Sequence, residues 1–408
     1  MLSGFEVSRN KDVIDYQIRE QLISKLKNRF STYSYHQVRT SAFEEYDMYS
    51  SIKKTVNKDE MIKVIDSSGK VLVLRPDGTI PITRMTAVNS EVNENEERLF
   101  YVLDVFRQSN EDNIEKESTQ AGVELFGNKK PDSDAEVIML AVHTLKDIGF
   151  NSFKIEIGHA GFFKELIEQA NLTVQELQQL QELIQSKNIA EMEPFLKRLE
   201  ISHALQEALY TIPLLYGNPN QVLEQTKSII RNEKMQEIYQ NLLEVMKVLE
   251  DYQIAEHITL NLGLINNMYY YTDIIFQGFV ENIGKPVLMG GRYDHLSEQF
   301  GKKMPAIGFA YEIDFLLTAM KQHQLTEQAG QPKPLHISYE TNARREALKA
   351  SLALRNYGFP VITKCNDQKQ ADVLFTNTKK SLHLNGHEQE FSTTKELIDI
   401  LSLKTGVR

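Results

Sequence analysis

The sequence has one cysteine, Cys365, among 408 residues. A single thiol excludes an internal disulfide and any cluster of thiolate metal ligands. It closes the stretch Phe-Pro-Val-Ile-Thr-Lys-Cys at the end of an expected strand, and reads as an ordinary thiol, not a nucleophile. No stretch holds the about 18 apolar residues needed to span a bilayer, so no membrane helix is expected. Met-Leu-Ser-Gly-Phe-Glu-Val at the start has no apolar signal region, which predicts a cytoplasmic chain. Positive charge is also short: Lys+Arg is 46 against 56 Asp+Glu, a net charge of −10. Neutralising phosphate supplies most of the affinity of a general nucleic-acid binder, so this balance counts against one. Internal repeats and low-complexity tracts are absent. What is present is ordinary soluble composition, 41% apolar and 25% charged. At about 100–200 residues per domain, the length predicts two domains with room for an insertion.

Val13, Ile14, Ile18, Leu22, Leu26 and Phe30 recur at helical spacing and predict a helix over 13–33. Strands are expected at 35–40, 61–65, 71–74, 98–106, 122–127 and 153–157. A helix is expected over 133–145, with Ser133 and Glu136 at capping-box spacing and Gly149 beyond its end. From about 161 to 256 glycine nearly disappears and Leu, Gln, Glu and Lys dominate. That block predicts a helical insertion whose Leu and Met stripes are core packing. Strand signals return at 259–264, 269–277 and 286–288, before a closing helix at 311–322. Glu327-Gln-Ala-Gly-Gln-Pro-Lys-Pro334 has linker composition. Beyond it, 335–408 predicts a small α/β domain. Its strands are expected at 335–339, 360–364 and 373–375, its helices at 342–357 and 394–403. Asn385-Gly386 carries a hairpin signal.

Four segments carry chemistry. Leu74-Arg75-Pro76-Asp77-Gly78-Thr79 puts a carboxylate and a hydroxyl around a glycine in the turn after a strand; alone it reads as a Pro-Asp-Gly turn. Phe100 to Arg107 is an apolar strand ending in an arginine that can fork onto a carboxylate or phosphate. In Gln120-Ala-Gly-Val-Glu-Leu-Phe-Gly127, period-two geometry puts Gln120, Gly122 and Glu124 on one face. Aimed inward, that amide and carboxylate suit an ammonium ligand; aimed outward, they are a solvated face. Last, Met268-Tyr-Tyr-Tyr-Thr-Asp273 is followed by Met289-Gly-Gly-Arg-Tyr-Asp294. Such tyrosines suit a small-ligand pocket and are equally common in plain strands. The Gly-Gly-Arg segment is no Walker loop, lacking its glycine spacing and its Lys-Ser/Thr ending.

In order and spacing, these segments resemble the catalytic core of histidyl-tRNA synthetase over about residues 1–322. That family has Arg-Pro-Glu-Gly-Thr, a Phe-Arg strand end and a Gln-x-Gly-x-Glu strand. It then has Arg-Gly-Leu-Asp-Tyr-Tyr-Thr, Gly-Gly-Arg-Tyr-Asp and Gly-Phe-Ala-x-Gly-x-Glu-Arg. The resemblance implies an α+β fold: a class II aminoacyl-tRNA synthetase-like antiparallel sheet flanked by helices, with a helical insertion at about 161–256. It implies that residues 335–408 form a small α/β domain, a reduced form of an anticodon-binding domain. It also implies that Asp77, Thr79, Arg107, Gln120, Glu124, Tyr270 and Tyr271 stand at positions that hold histidine.

The departures concern the reaction. Asn266-Asn267 replaces the Arg-Gly of the pattern, and Phe315 stands where an ATP-clamping arginine would be. The loop 108–119 holds Glu111, Asp112, Glu115 and Glu117 against Lys116 alone, a charge of −3 that repels ATP and tRNA. Lost cations beside kept histidine positions make the chain similar to the regulatory subunits of ATP phosphoribosyltransferase, a paralogous family without aminoacylation activity. This resemblance implies a partner, the short-form catalytic subunit, and histidine as inhibitory effector. It implies a homodimer through helix 13–33 within a hetero-oligomer, with no cofactor, metal, tRNA or membrane. Two alternatives stand beside it. One is an active synthetase in which Arg292 replaces the lost cations. The other is a structural protein with an unused pocket.

Overall fold

A computed structural model describes residues 9–51, 58–89, 96–108, 116–265, 270–326, 334–367, 371–384 and 387–405. The chain divides into two compact units, Met1–Thr326 and Glu327–Arg408.

The larger unit is built on a nine-stranded sheet. In spatial order its strands are His36–Gln37, Glu97–Phe106, Glu117–Phe126, Ala306–Glu312, Leu288–Arg292, Ile274–Val280, Phe153–His159, Ile258–Asn261 and Tyr216–Gly217. The pairings from Glu97–Phe106 through to Phe153–His159 are all antiparallel. Alternation assigns the two faces of its centre. Phe100, Val123 and Phe309 lie side by side across three strands, and Phe30 of the Arg9–Thr32 helix packs on Phe100 and Phe309. Helix Pro131–Ile148 covers the same face, where its Ala141 carbonyl accepts from the Tyr311 hydroxyl at 2.7 Å. The opposite face of those three strands presents Tyr101, Gly122 and Ala310. A three-stranded antiparallel sheet, Phe43–Glu45, Val71–Leu74 and Lys63–Ile65, precedes helix Thr79–Asn89.

Six α-helices run between Phe153–His159 and Ile258–Asn261, from Ala160–Ala170 to Glu233–Asp251. Their starts are written locally: Thr173, Asn188, Ser202, Asn218 and Asn232 each accept a backbone N–H as N-cap. Leu180, Met192, Leu209 and Leu242 of the apolar stripes are fully buried. The smaller unit has a five-stranded sheet in the order Val361–Cys365, Leu335–Tyr339, Val373–Phe375, Lys380–Leu384 and His387–Glu390. Ile337, Leu354, Phe375 and Leu401 form its core. The Asn385-Gly386 turn and the 327–333 linker lie outside the described residues, although the strands flanking that turn do pair.

Several expected elements are corrected. The 35–40 strand shrinks to His36–Gln37, and 122–127 begins at Glu117. No strand covers Tyr270–Asp273; that strand starts at Ile274. The Gly-Gly-Arg segment falls in strand Leu288–Arg292, and 259–264 stops at Asn261. Helix 311–322 starts at Ile313 behind an unforeseen strand, Ala306–Glu312. The capping box at Ser133 does not form. Pro131, with its fixed φ, starts that helix earlier, Ser133 Oγ donates to the Lys130 carbonyl, and Glu136 pairs with Arg98 instead.

Candidate functional site

Asp77, Thr79, Arg107, Gln120, Glu124, Tyr270 and Tyr271 all line one cavity on the open face of the sheet. With the open solvent at its mouth counted, it holds ≈ 480 Å³ of empty space. The ladder builds its floor. Gln120 faces Glu312, Gly122 faces Ala310 and Glu124 faces Gly308. Polar side chains thus stand at two ends, four residues or about 13 Å apart along the strand, with only small residues between. Those small residues are required. A Cβ on Gly122 would lie 2.5 Å from the Tyr101 hydroxyl, and one on Gly308 would overlap the Glu124 carboxylate.

Glu124 is 1% exposed, so the solvated-face reading does not hold. Thr79 Oγ1 donates to its Oε1 at 2.8 Å and the Tyr293 hydroxyl to its Oε2. Burial pushes this carboxyl up to about 8 in spite of those bonds. Asp77 is more than a turn residue: its Oδ1 accepts from Ile80 N at 2.8 Å and caps helix Thr79–Asn89, while its Oδ2 is buried without a partner among the described residues. Burial raises its carboxyl as well. Arg107 donates Nε to the Pro76 carbonyl at 2.8 Å, and its charge acts on Asp77. The rings of Tyr270 and Tyr271 lie 4.7 Å apart, and Tyr293 meets Tyr270 edge-on at 5.8 Å.

Tyr101, Tyr293 and Glu312 also line the cavity and were not singled out from the sequence. Tyr101 was hidden in an apolar run. Tyr293 lay inside the quoted Gly-Gly-Arg-Tyr-Asp segment. Glu312 carried a usable signal, since it stands where the synthetase pattern has its second glycine.

The synthetase family profile, histidyl-tRNA synthetase, matches residues 13–316. An ATP phosphoribosyltransferase regulatory subunit from Oceanobacillus iheyensis is 50% identical over 390 residues, 94% of each chain. The chain belongs to the family of ATP phosphoribosyltransferase regulatory subunits, on a histidyl-tRNA synthetase-like fold. A regulatory subunit from Ruminiclostridium cellulolyticum is 34% identical, covering 86% of this chain and 84% of its own. Among solved structures, a Bacillus halodurans ATP phosphoribosyltransferase regulatory subunit/histidyl-tRNA synthetase superposes with a TM-score of 0.78 at 26% identity, covering 88% of this chain and 94% of its own. Histidyl-tRNA synthetase from Nostoc shares the fold, with a TM-score of 0.77 at 16% identity and 96% coverage of each.

Against the synthetase pattern, the regulatory-subunit chain differs in its cations. Arg292 is no substitute. It is 1% exposed, and donates to Asp134 at 2.8 Å, Ser133 Oγ at 3.0 Å, the Asn128 carbonyl at 2.9 Å and Asp294 at 3.1 Å. Burial pushes the Asp134 carboxyl up to about 6 against the pull of Arg292. Phe315 is on helix Ile313–Gln322, with Lys285 over its ring at 5.8 Å. Asn266-Asn267 and loop residues Glu111, Asp112 and Glu115 lie outside the described residues. Among those described, no helix is long and apolar enough to cross a membrane, and no group of three or more His, Cys, Asp or Glu could hold a metal.

Proposed function

We propose that the chain binds histidine and works as the non-catalytic regulatory subunit of ATP phosphoribosyltransferase. A separate short-form catalytic subunit performs the reaction, the first of histidine biosynthesis, and histidine bound here inhibits it. The observation that carries this reading is the gathering of all seven expected positions on one cavity while Arg292 is spent on structure. An α-amino acid with a polar ring suits its two polar ends. The ring is placed at Glu124 and the ammonium at Gln120. The assembly is proposed to be cytoplasmic and to contain a homodimer of this chain through helix Arg9–Thr32, whose Val13, Ile14 and Tyr16 are exposed. The smaller unit is proposed as a reduced anticodon-binding domain with an interaction role.

The test combines the purified chain with its catalytic subunit. Calorimetry should give histidine binding, and the partner's rate should depend on this chain and fall with histidine. Histidine that neither binds nor alters that rate overturns the proposal. Pyrophosphate exchange with ATP and histidine separates it from an active synthetase, which alone would turn over. Glu124→Ala is expected to weaken histidine binding by about 1–3 kcal/mol, and Tyr271→Phe by less.

The pH profile has a defined shape. Near neutrality, Glu124 holds one proton and a neutral imidazole brings none, so the pair shares one. Below the ring's ordinary pKa of about 6.5, binding must expel a second proton; above about 8, it must take one up. Affinity should be flat between these limits and fall up to about tenfold per unit outside them. Titrations across that range check this, and Glu124→Gln should remove the fall that begins at about 8, leaving only the one set by the ligand's own ammonium.

A further inference from the structure

Glu312 ends its strand directly across the ladder from Gln120. Cross-strand partners share a face, so both side chains stand on the cavity side. Gln120 is 6% exposed and donates Nε2 to Glu312 Oε1 at 2.7 Å. A carboxylate only accepts, so the amide must turn its NH2 toward Glu312. The amide carbonyl is thereby directed away, free to accept from something else. The bond from Gln120 is neutral and offsets none of the charge on Glu312. A second acceptor lies on the same cavity, because Asp77 Oδ2 is buried with no hydrogen-bond partner among the described residues.

We infer that Glu312 is a positioning residue for the ammonium group of an α-amino acid ligand. It locks the Gln120 amide with its carbonyl toward the cavity and adds negative charge beside it. An ammonium brings three N–H donors and a positive charge, and the Gln120 carbonyl and the Glu312 carboxylate answer both. A carboxylate or phosphate in the same place would meet the like charge of Glu312. Arg107, the cation in the cavity wall, is where a ligand's carboxylate belongs. The inference rests on the amino-acid reading of the cavity, though not on the amino acid being histidine.

The test uses the full chain and pairs each amino acid with its des-amino acid, which lacks only the ammonium. For histidine the pair is histidine and imidazolepropionate. Thermal shifts with the standard amino acids first identify which one stabilises the native chain; calorimetry then measures both members of that pair. Glu312→Gln should weaken the amino acid about tenfold or more and leave the des-amino acid unchanged or tighter. Glu312→Asp, which keeps the charge, should restore part of the loss. Equal losses for both ligands, or no loss for the amino acid, overturn the role of Glu312. A different amino acid stabilising the native chain overturns the histidine reading alone, and the same comparison then runs on that pair. A native chain that no amino acid stabilises overturns both.

Discussion

Alanine at Gly308 is expected to abolish most histidine binding, by about a hundredfold or more, while the chain remains folded. The added Cβ would overlap the Glu124 carboxylate and press on the Val123 carbonyl of the paired strand. Glu124 would have to leave the position where Thr79 and Tyr293 hold it, and the ring end of the cavity goes with it. Overpacking of this kind costs about 1–3 kcal/mol of stability, small enough for the fold to survive. Calorimetry and thermal unfolding of the same sample separate the two effects. Gly284→Ala is the control, since nothing lies within 4 Å of a Cβ there. Affinity of Gly308→Ala within a few-fold of the native chain would show that Glu124 does not hold the ligand.

Asp134→Ala should have the largest effect on stability, about 3–5 kcal/mol, because it leaves a buried arginine without its principal counter-charge. Arg292 is too deeply packed to reach water, with 1% exposure beside Asp134 at 0%. Arg292→Met alone should also be costly, since Asp134 would then be the stranded charge. The double substitution should cost less than the sum of the two, as expected for a pair whose main value lies in neutralising each other. Denaturant unfolding of the four proteins measures this. Additive losses would mean that each residue is held by other partners.

The arginine pair also shows where the sequence stopped being readable. Gly-Gly-Arg-Tyr-Asp could be matched to a family pattern, but whether its arginine faced a ligand or the interior depended on Asp134, over a hundred residues away. Alternation was enough to place Gln120, Gly122 and Glu124 on one face, yet not to say whether that face met solvent. Strand Ala306–Glu312 was missed because Gly308 and Ala310, the small residues the cavity needs, weaken a strand signal that is mostly a report of side-chain packing. The helical character of 161–256 was legible because apolar spacing repeats within each helix, over a few residues at a time. The start of helix Pro131–Ile148 was misplaced for a similarly local reason, since a proline and a serine competed for it.

The ladder between Gln120 and Glu312 joins residues 192 positions apart. Half of the cavity floor therefore exists only after the chain has been made through Glu312. During synthesis, residues up to Gln120 emerge early with an unpaired strand edge, and the whole helical block follows before the partner strand arrives. Closing so long a loop is slow. A ligand for this cavity cannot assist the early stages of folding, and a chain interrupted before residue 306 cannot hold one. Ligand binding would act as a test of completion, passed only by molecules in which strand Ala306–Glu312 has met strand Glu117–Phe126.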